Sequence, residues 1–331
     1  MAGNPLLISP DRLREQGLLQ DSDLCELSGG SPDHCAFEAA AGFKMGLFRK
    51  AYDTFKSSSD TQLQQAFETF CQDKASWLED YALFMAIKAA HGGAGWTSWE
   101  SGLARRDPVV VARWREQLQD DIRFQKYLQF EFFRQWSSLR SYCNDRGVQI
   151  IGDIPIYVAH DSVDVWANPE NFCLNPHSFQ PSLMAGVPPD YFSATGQLWG
   201  NPVYNWDYLQ RTGFAWWLQR FQSLMDYVDI IRIDHFRGLQ AYWVVPEGET
   251  TAMNGWWVEA PGYALFNRIR DHLGKLPIIA EDLGIITPEV DALRDQFGFP
   301  GMKILHFAFD SGTENPYLPC NYPDRKSTRL N

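Results

Sequence analysis

The chain has 331 residues, and its 29 Lys and Arg against 41 Asp and Glu give a formal net charge of −12. That length accommodates one large α/β domain with an insertion, or two domains, and 45 % hydrophobic residues supply a packed core. The acidic balance argues against nucleic acid as a partner, and no apolar run approaches the ~18 residues a membrane span requires.

Residues 1–20 carry Asp11, Arg12, Arg14 and Glu15 where a secretion signal would be apolar, so a cytoplasmic location is expected. Cys25, Cys35, Cys71, Cys143, Cys173 and Cys320 are scattered, with no C-x-x-C pair and no histidine at metal-ligand spacing. Free thiols are expected, and neither a disulfide scaffold nor a metal site. The unusual count is aromatic, with 13 Trp, 13 Tyr and 22 Phe. Flat apolar rings fill cores and stack on sugar rings equally well, so composition alone does not separate the two uses.

Along the chain, Phe43, Leu47, Tyr52, Phe55, Leu63, Phe67, Phe70, Trp77 and Tyr81 recur at helical spacing, which predicts helices over most of 36–91. A turn follows at His91, Gly92 and Gly93. Asp107 and Pro108 then form a helix start, an N-cap carboxylate before a proline at the first helical position. Apolar residues from Trp114 to Cys143 continue the period until Gly147, predicting one long helix or two in succession.

After Gly147 the texture becomes β-branched. Runs at 148–153, 228–234, 276–281 and 302–307 read as strands, with 241–245 as a weaker fifth, and helical patterns lie at 264–273 and 288–297. Strands alternating with helices predict a parallel sheet, and three of the runs end on a carboxylate, at Asp153, Asp234 and Glu281. Barrel enzymes place catalytic groups at that end of their strands. A doubly wound sheet does the same, but no G-x-G-x-x-G turn or P-loop accompanies these runs. Fewer strands are visible than the eight a closed barrel requires, so either the others are disguised or the chain is a fragment.

Arg232, Asp234 and His235 form the sharpest constellation. Residues two apart on a strand share a face, so the Arg232 guanidinium would keep Asp234 ionised and ready to attack a carbon centre; the alternative is a structural ion pair. Glu281 stands one strand-helix-strand unit later, and two carboxylates on neighbouring strands are the minimum for cleaving a glycosidic bond. Asp282 competes with Glu281, but strand alternation sends the two to opposite sides. A proline-stiffened segment at 186–202 reads as a long loop presenting Tyr191, Phe192 and Trp199, either for stacking on a ligand or for filling a satellite core.

GVPPDYFSATGQLWGNPVYNW (186–206), IIRIDHFRGL (230–239), IIAEDLGIITPEV (278–290) and FGFPGMKILHFAF (297–309) closely resemble the 4-α-glucanotransferases, the amylomaltase or disproportionating-enzyme family, as does IGDIPIYVAHDSVDVW (151–166). The resemblance runs from about Ala2 to Asp324. It implies an α/β, (β/α)8 barrel-type, glycosidase-like catalytic domain with a largely helical insertion. The expected divisions are a helical subdomain at 1–147, a partial barrel at 148–324 with a lid at 186–202, and a tail at 325–331 that does not resemble the family.

By the same resemblance Asp234 is the nucleophile and Glu281 the general acid/base. Arg232 and His235 flank the nucleophile in the −1 sugar subsite, and Asp153 either lines that subsite or steadies its own loop. Asp190, Tyr191, Phe192, Trp199 and Asn201 belong to the segment covering bound glucan. The implied partners are α-1,4-glucans and malto-oligosaccharides, with no metal or organic cofactor. The family's third carboxylate, in a T-H-D-N segment, and its first strands have no counterpart here, so the chain is expected to be a fragment of a longer enzyme. A retaining α-glucan hydrolase and an inactive glucan-binding fragment are the alternatives.

Overall fold

A computed structural model describes residues 1–24, 36–190, 193–309 and 311–322. Cys25, Cys35, Tyr191, Phe192 and the 325–331 tail lie outside the described residues. The chain divides into two compact units, Met1–Gly147 and Val148–Asn331.

The first unit is helical: α1 (Pro10–Glu15), α2 (Phe37–Ser57), α3 (Thr61–Asp73), α4 (Ala75–Ala90), α5 (Ser101–Ala104), α6 (Pro108–Gln117) and α7 (Gln119–Asn144). The starts follow from capping. The Asp60 carboxylate accepts from Gln62 N and Leu63 N, both at 3.0 Å, and Asp107 does the same for Val109 N and Val110 N ahead of Pro108. The long periodic stretch divides at Leu118, whose buried side chain sits at φ −107°, so two helices follow one another. The expected apolar positions build an aromatic core in which Tyr52, Phe55, Phe67, Tyr127 and Phe130 meet ring against ring.

The second unit carries β1 (Ile151–Pro155), α8 (Val163–Ala167), β2 (Leu183–Val187), β3 (Gln197–Pro202), α9 (Trp206–Arg211), α10 (Ala215–Met225), β4 (Ile230–Asp234), β5 (Ala241–Pro246), β6 (Trp256–Glu259), α11 (Gly262–Leu273), β7 (Ile278–Ala280) and α12 (Pro288–Gln296). Strands β1, β4 and β7 pair in parallel in that order, with Asp153 opposite Arg232 and Pro155 opposite Asp234. Parallel registry aligns their C-terminal ends, so Asp153, Asp234 and Glu281 come to one edge.

Three expectations change. The segment 186–202 is not one long loop: β2 and β3 pair antiparallel, with Gly186 opposite Leu198, and only 188–196 connects them. Gly186 allows this pairing, since a Cβ there would lie 2.5 Å from the Gln197 carbonyl oxygen. The 241–245 run is a strand, but it belongs to a second, antiparallel sheet of order β3-β2-β5-β6. The 302–307 run is no strand: Met302 N donates to the Asp282 carboxylate at 2.7 Å, and a 3-10 helix follows at Leu305–Phe309.

Most of the aromatic excess in this unit is core. Tyr204 is buried among Tyr157, Phe172, Trp206, Trp216 and Trp217, with ring centroids 5.1–5.8 Å apart. Its hydroxyl donates to the Ile156 carbonyl at 2.6 Å, fixing the chain just beyond β1.

Candidate active site

Arg232 is the hub. Its Nη1 donates to both Asp153 oxygens at 2.6 Å, and its Nη2 donates to Asp234 Oδ1 at 3.0 Å. Burial works against the guanidinium's charge, but Asp153, Asp234 and Glu281 more than offset it, so its pKa is raised. The side chain of Asp234 is half exposed at the open end of β4, so the ion pair leaves carboxylate surface for a ligand. Asp153 therefore acts in this site through Arg232, and its contact joins β1 to β4 rather than closing its own loop.

Glu281 follows β7 directly. Its main chain continues the ladder, with Glu281 N donating to the Ile233 carbonyl and Phe236 N donating to the Glu281 carbonyl. Its side chain is only 9 % exposed, and each oxygen accepts from the main chain: Oε2 from His235 N at 2.8 Å, Oε1 from Leu283 N at 2.9 Å. Burial nevertheless pushes its pKa up; the two N–H groups oppose that rise, while the charge of Asp234 adds to it.

Two carboxylates that feel each other thus occupy contrasting surroundings, one half exposed on an arginine and one buried. The contrast leaves Asp234 open to a ligand, while burial and the charge of Asp234 raise the pKa of Glu281. Asp282 faces elsewhere, as strand alternation requires. It is bound to Arg294 and to Met302 N, with its side chain almost fully covered.

His235 turns the chain at the end of β4 with φ 54° and ψ 50°, a left-handed conformation uncommon outside glycine and asparagine. The turn aims its backbone N–H at Glu281 and leaves its ring edge-on to Trp199, 4.9 Å between centroids. Burial, with the Arg237 cation adding to it, pushes the imidazole pKa down to about 4. The unfolded chain therefore binds the proton first as pH falls. Stability should decline from about pH 6.5 towards about pH 4. In His235→Asn, whose side chain tolerates the backbone, urea titrations should show a shallower decline over that window; an unchanged slope would show that His235 is not its source.

The covering segment divides. Trp199, on β3, reaches the site through His235 and Tyr157. Asn201 Nδ2 is committed to the Val158 carbonyl at 2.9 Å, pinning β3 to the chain beyond β1. Asp190 Oδ1 accepts from Ser193 N at 2.8 Å, closing the 188–196 turn. Neither of these two contacts reaches Asp234 or Glu281. Residues not anticipated from sequence also surround the site: Met302, whose sulfur lies 3.1 Å from Arg232 Nε, and Arg237, whose guanidinium covers the Trp257 ring and donates to the Ile285 carbonyl. No local signal in the sequence marks Met302, because its partner Arg232 lies 70 positions away along the chain.

Comparison with known proteins gives the same picture throughout. A family model described as 4-alpha-glucanotransferase matches residues 1–329. The chain is 54 % identical over 323 residues to the 4-alpha-glucanotransferase of Synechocystis sp., covering 97 % of this chain and 64 % of that relative. It is 46 % identical over 322 residues to the Thermus thermophilus 4-alpha-glucanotransferase, with 97 % and 63 % covered. A solved structure, the amylomaltase of Streptococcus agalactiae in complex with acarbose, superposes with a TM-score of 0.93 at 40 % identity, covering 98 % of this chain and 65 % of that one. The chain thus spans just under two thirds of the length of these relatives. Its fold class is α/β, of an incomplete (β/α)8 type.

Proposed function

The chain belongs to the 4-alpha-glucanotransferase family, and from that premise we propose that it moves α-1,4-glucan segments to the 4-hydroxyl of glucose or of another glucan, with retention at the anomeric carbon. The observation that carries the reading is the pairing of a half-exposed Asp234 on Arg232 with a buried Glu281 of raised pKa at the same sheet edge.

Asp234 attacks the anomeric carbon as the bond to the departing 4-oxygen breaks. Glu281 gives that oxygen its proton, and a covalent glucosyl-enzyme forms. Glu281, now a carboxylate, takes the proton of the incoming sugar hydroxyl, which attacks the same carbon and releases Asp234. The main-chain N–H groups on Glu281 favour its carboxylate form, the form the second half requires. Trp199 supplies aromatic surface against which glucan stacks and water is kept out, a role the resemblance also gives to Tyr191 and Phe192.

In the same proposal the β1-β4-β7 arc is part of an incomplete (β/α)8-type barrel, and residues 1–147 are a largely helical insertion in its sequence. A cytoplasmic location completes the reading, supported by Cys71, Cys143, Cys173 and Cys320 as free thiols. No helix among the described residues is long and apolar enough to cross a membrane.

Incubation with maltotriose tests the function. Glucose together with maltopentaose and longer oligomers is the expected product set. Shortening alone would establish a hydrolase, and retained glucan binding without turnover would establish a binding fragment.

A further inference from the structure

Arg232 orients both Asp153 and Asp234, so whatever fixes its guanidinium fixes the nucleophile. Its Nη1 and Nη2 are engaged by those carboxylates, and its Nε points at Met302 Sδ, 3.1 Å away. A thioether is a weak acceptor on an unbranched, flexible chain, and is useful here only if its backbone is held.

The backbone is held at four successive residues. Phe299 packs on Phe236 and Phe266, with centroids 6.1 and 5.0 Å apart. The Pro300 carbonyl accepts from Ala280 N at 2.8 Å, occupying the free edge of β7. Gly301 lies so close to Asp282 that a Cβ would meet Oδ2 at 2.2 Å, and Met302 N donates to Asp282 Oδ1 at 2.7 Å. Arg294 on α12 holds the other Asp282 oxygen. The residue after the acid/base thus anchors the residue behind the nucleophile's arginine.

We propose that Met302, seated by Asp282, is a positioning residue that supplies the acceptor for Arg232 Nε and holds the guanidinium so that Asp234 meets the anomeric carbon in line. The proposal rests on the transfer reading given above for its effect on rate, but not for its structural content.

The test compares Met302→Leu, of similar volume without an acceptor, with Met302→Gln, of similar length with an amide oxygen. In Met302→Leu, kcat on maltotriose should fall about tenfold with KM little changed, since displacement of a positioning group acts on alignment more than on binding. Hydrogen exchange of the Arg232 Nε proton, followed by NMR in the whole chain, should quicken at least about tenfold, the loss of one modest hydrogen bond. Met302→Gln should restore both towards the parent. Quickened exchange in Met302→Leu, reversed in Met302→Gln, supports the Met302 contact even if the parent chain itself transfers no glucan, in which case it is the transfer reading that fails. Unchanged exchange in a folded Met302→Leu chain overturns the proposal whatever the activity does. So does equal loss of kcat in both variants.

Discussion

Asp234→Asn should abolish turnover on every glucan donor, whereas Glu281→Gln should fail selectively. Loss of a general acid costs about 10²- to 10⁴-fold, but that cost falls on donors whose leaving oxygen must be protonated. Fluoride leaves a maltosyl fluoride donor without needing a proton, so Glu281→Gln should form the maltosyl-enzyme from it at close to the parental rate. The intermediate then accumulates, because removing the proton of the acceptor still requires the carboxylate. Asp234→Asn has no such escape, since the missing group is the one that bonds to carbon. Burst kinetics with the fluoride donor, read beside steady-state rates on maltotriose, separate the two. Equal loss in both variants on the fluoride donor would remove Glu281 from the acid role.

Tyr204→Ala should be the most destabilising single change in the second unit, at about 3–5 kcal/mol, the usual cost of emptying a buried aromatic site. The ring touches five other aromatic side chains, and its loss opens a cavity that flat neighbours on several elements cannot jointly fill. Tyr204→Phe isolates the hydroxyl. Its removal leaves the Ile156 carbonyl with Arg220 Nη1 as a long donor at 3.3 Å, and should cost about 1–2 kcal/mol. Urea midpoints of the two variants decide between packing and hydrogen bonding. Near-equal losses would show that the hydroxyl, rather than the ring, holds the chain beyond β1.

What the sequence disclosed was set by range. Asp107 before Pro108, or the 3.6 period of α2 and α4, are local signals, and local backbone preference decides those elements. The carboxylates at the ends of β4 and β7 were legible for a related reason: alternation along a strand fixes which side chains share a face. Sheet membership is different, because pairing partners are chosen across long stretches of chain. Ala241–Pro246 has the same β-branched texture as β4, yet it joins the antiparallel sheet because β2 and β6 flank it in space. The 302–307 run, which reads as a strand, is instead tied at its start to the Asp282 carboxylate twenty positions earlier and runs into a 3-10 helix. The contact of Met302 with Arg232 was illegible for that same reason, as was the commitment of Asn201 to Val158.

The crowding of indoles around Tyr204 has an optical side. Trp206, Trp216 and Trp217 lie within 6.2 Å of one another along the chain of contacts, close enough to share excitation, while Trp199 stands apart against an imidazole edge. Intrinsic emission from this unit will therefore mix these buried indoles with the exposed Trp256 and Trp257, and Trp199, the indole against His235, will contribute a small part of it. A fluorescence titration with sugar can be nearly silent while the site fills, and a large change in emission signals loosening of the interior instead.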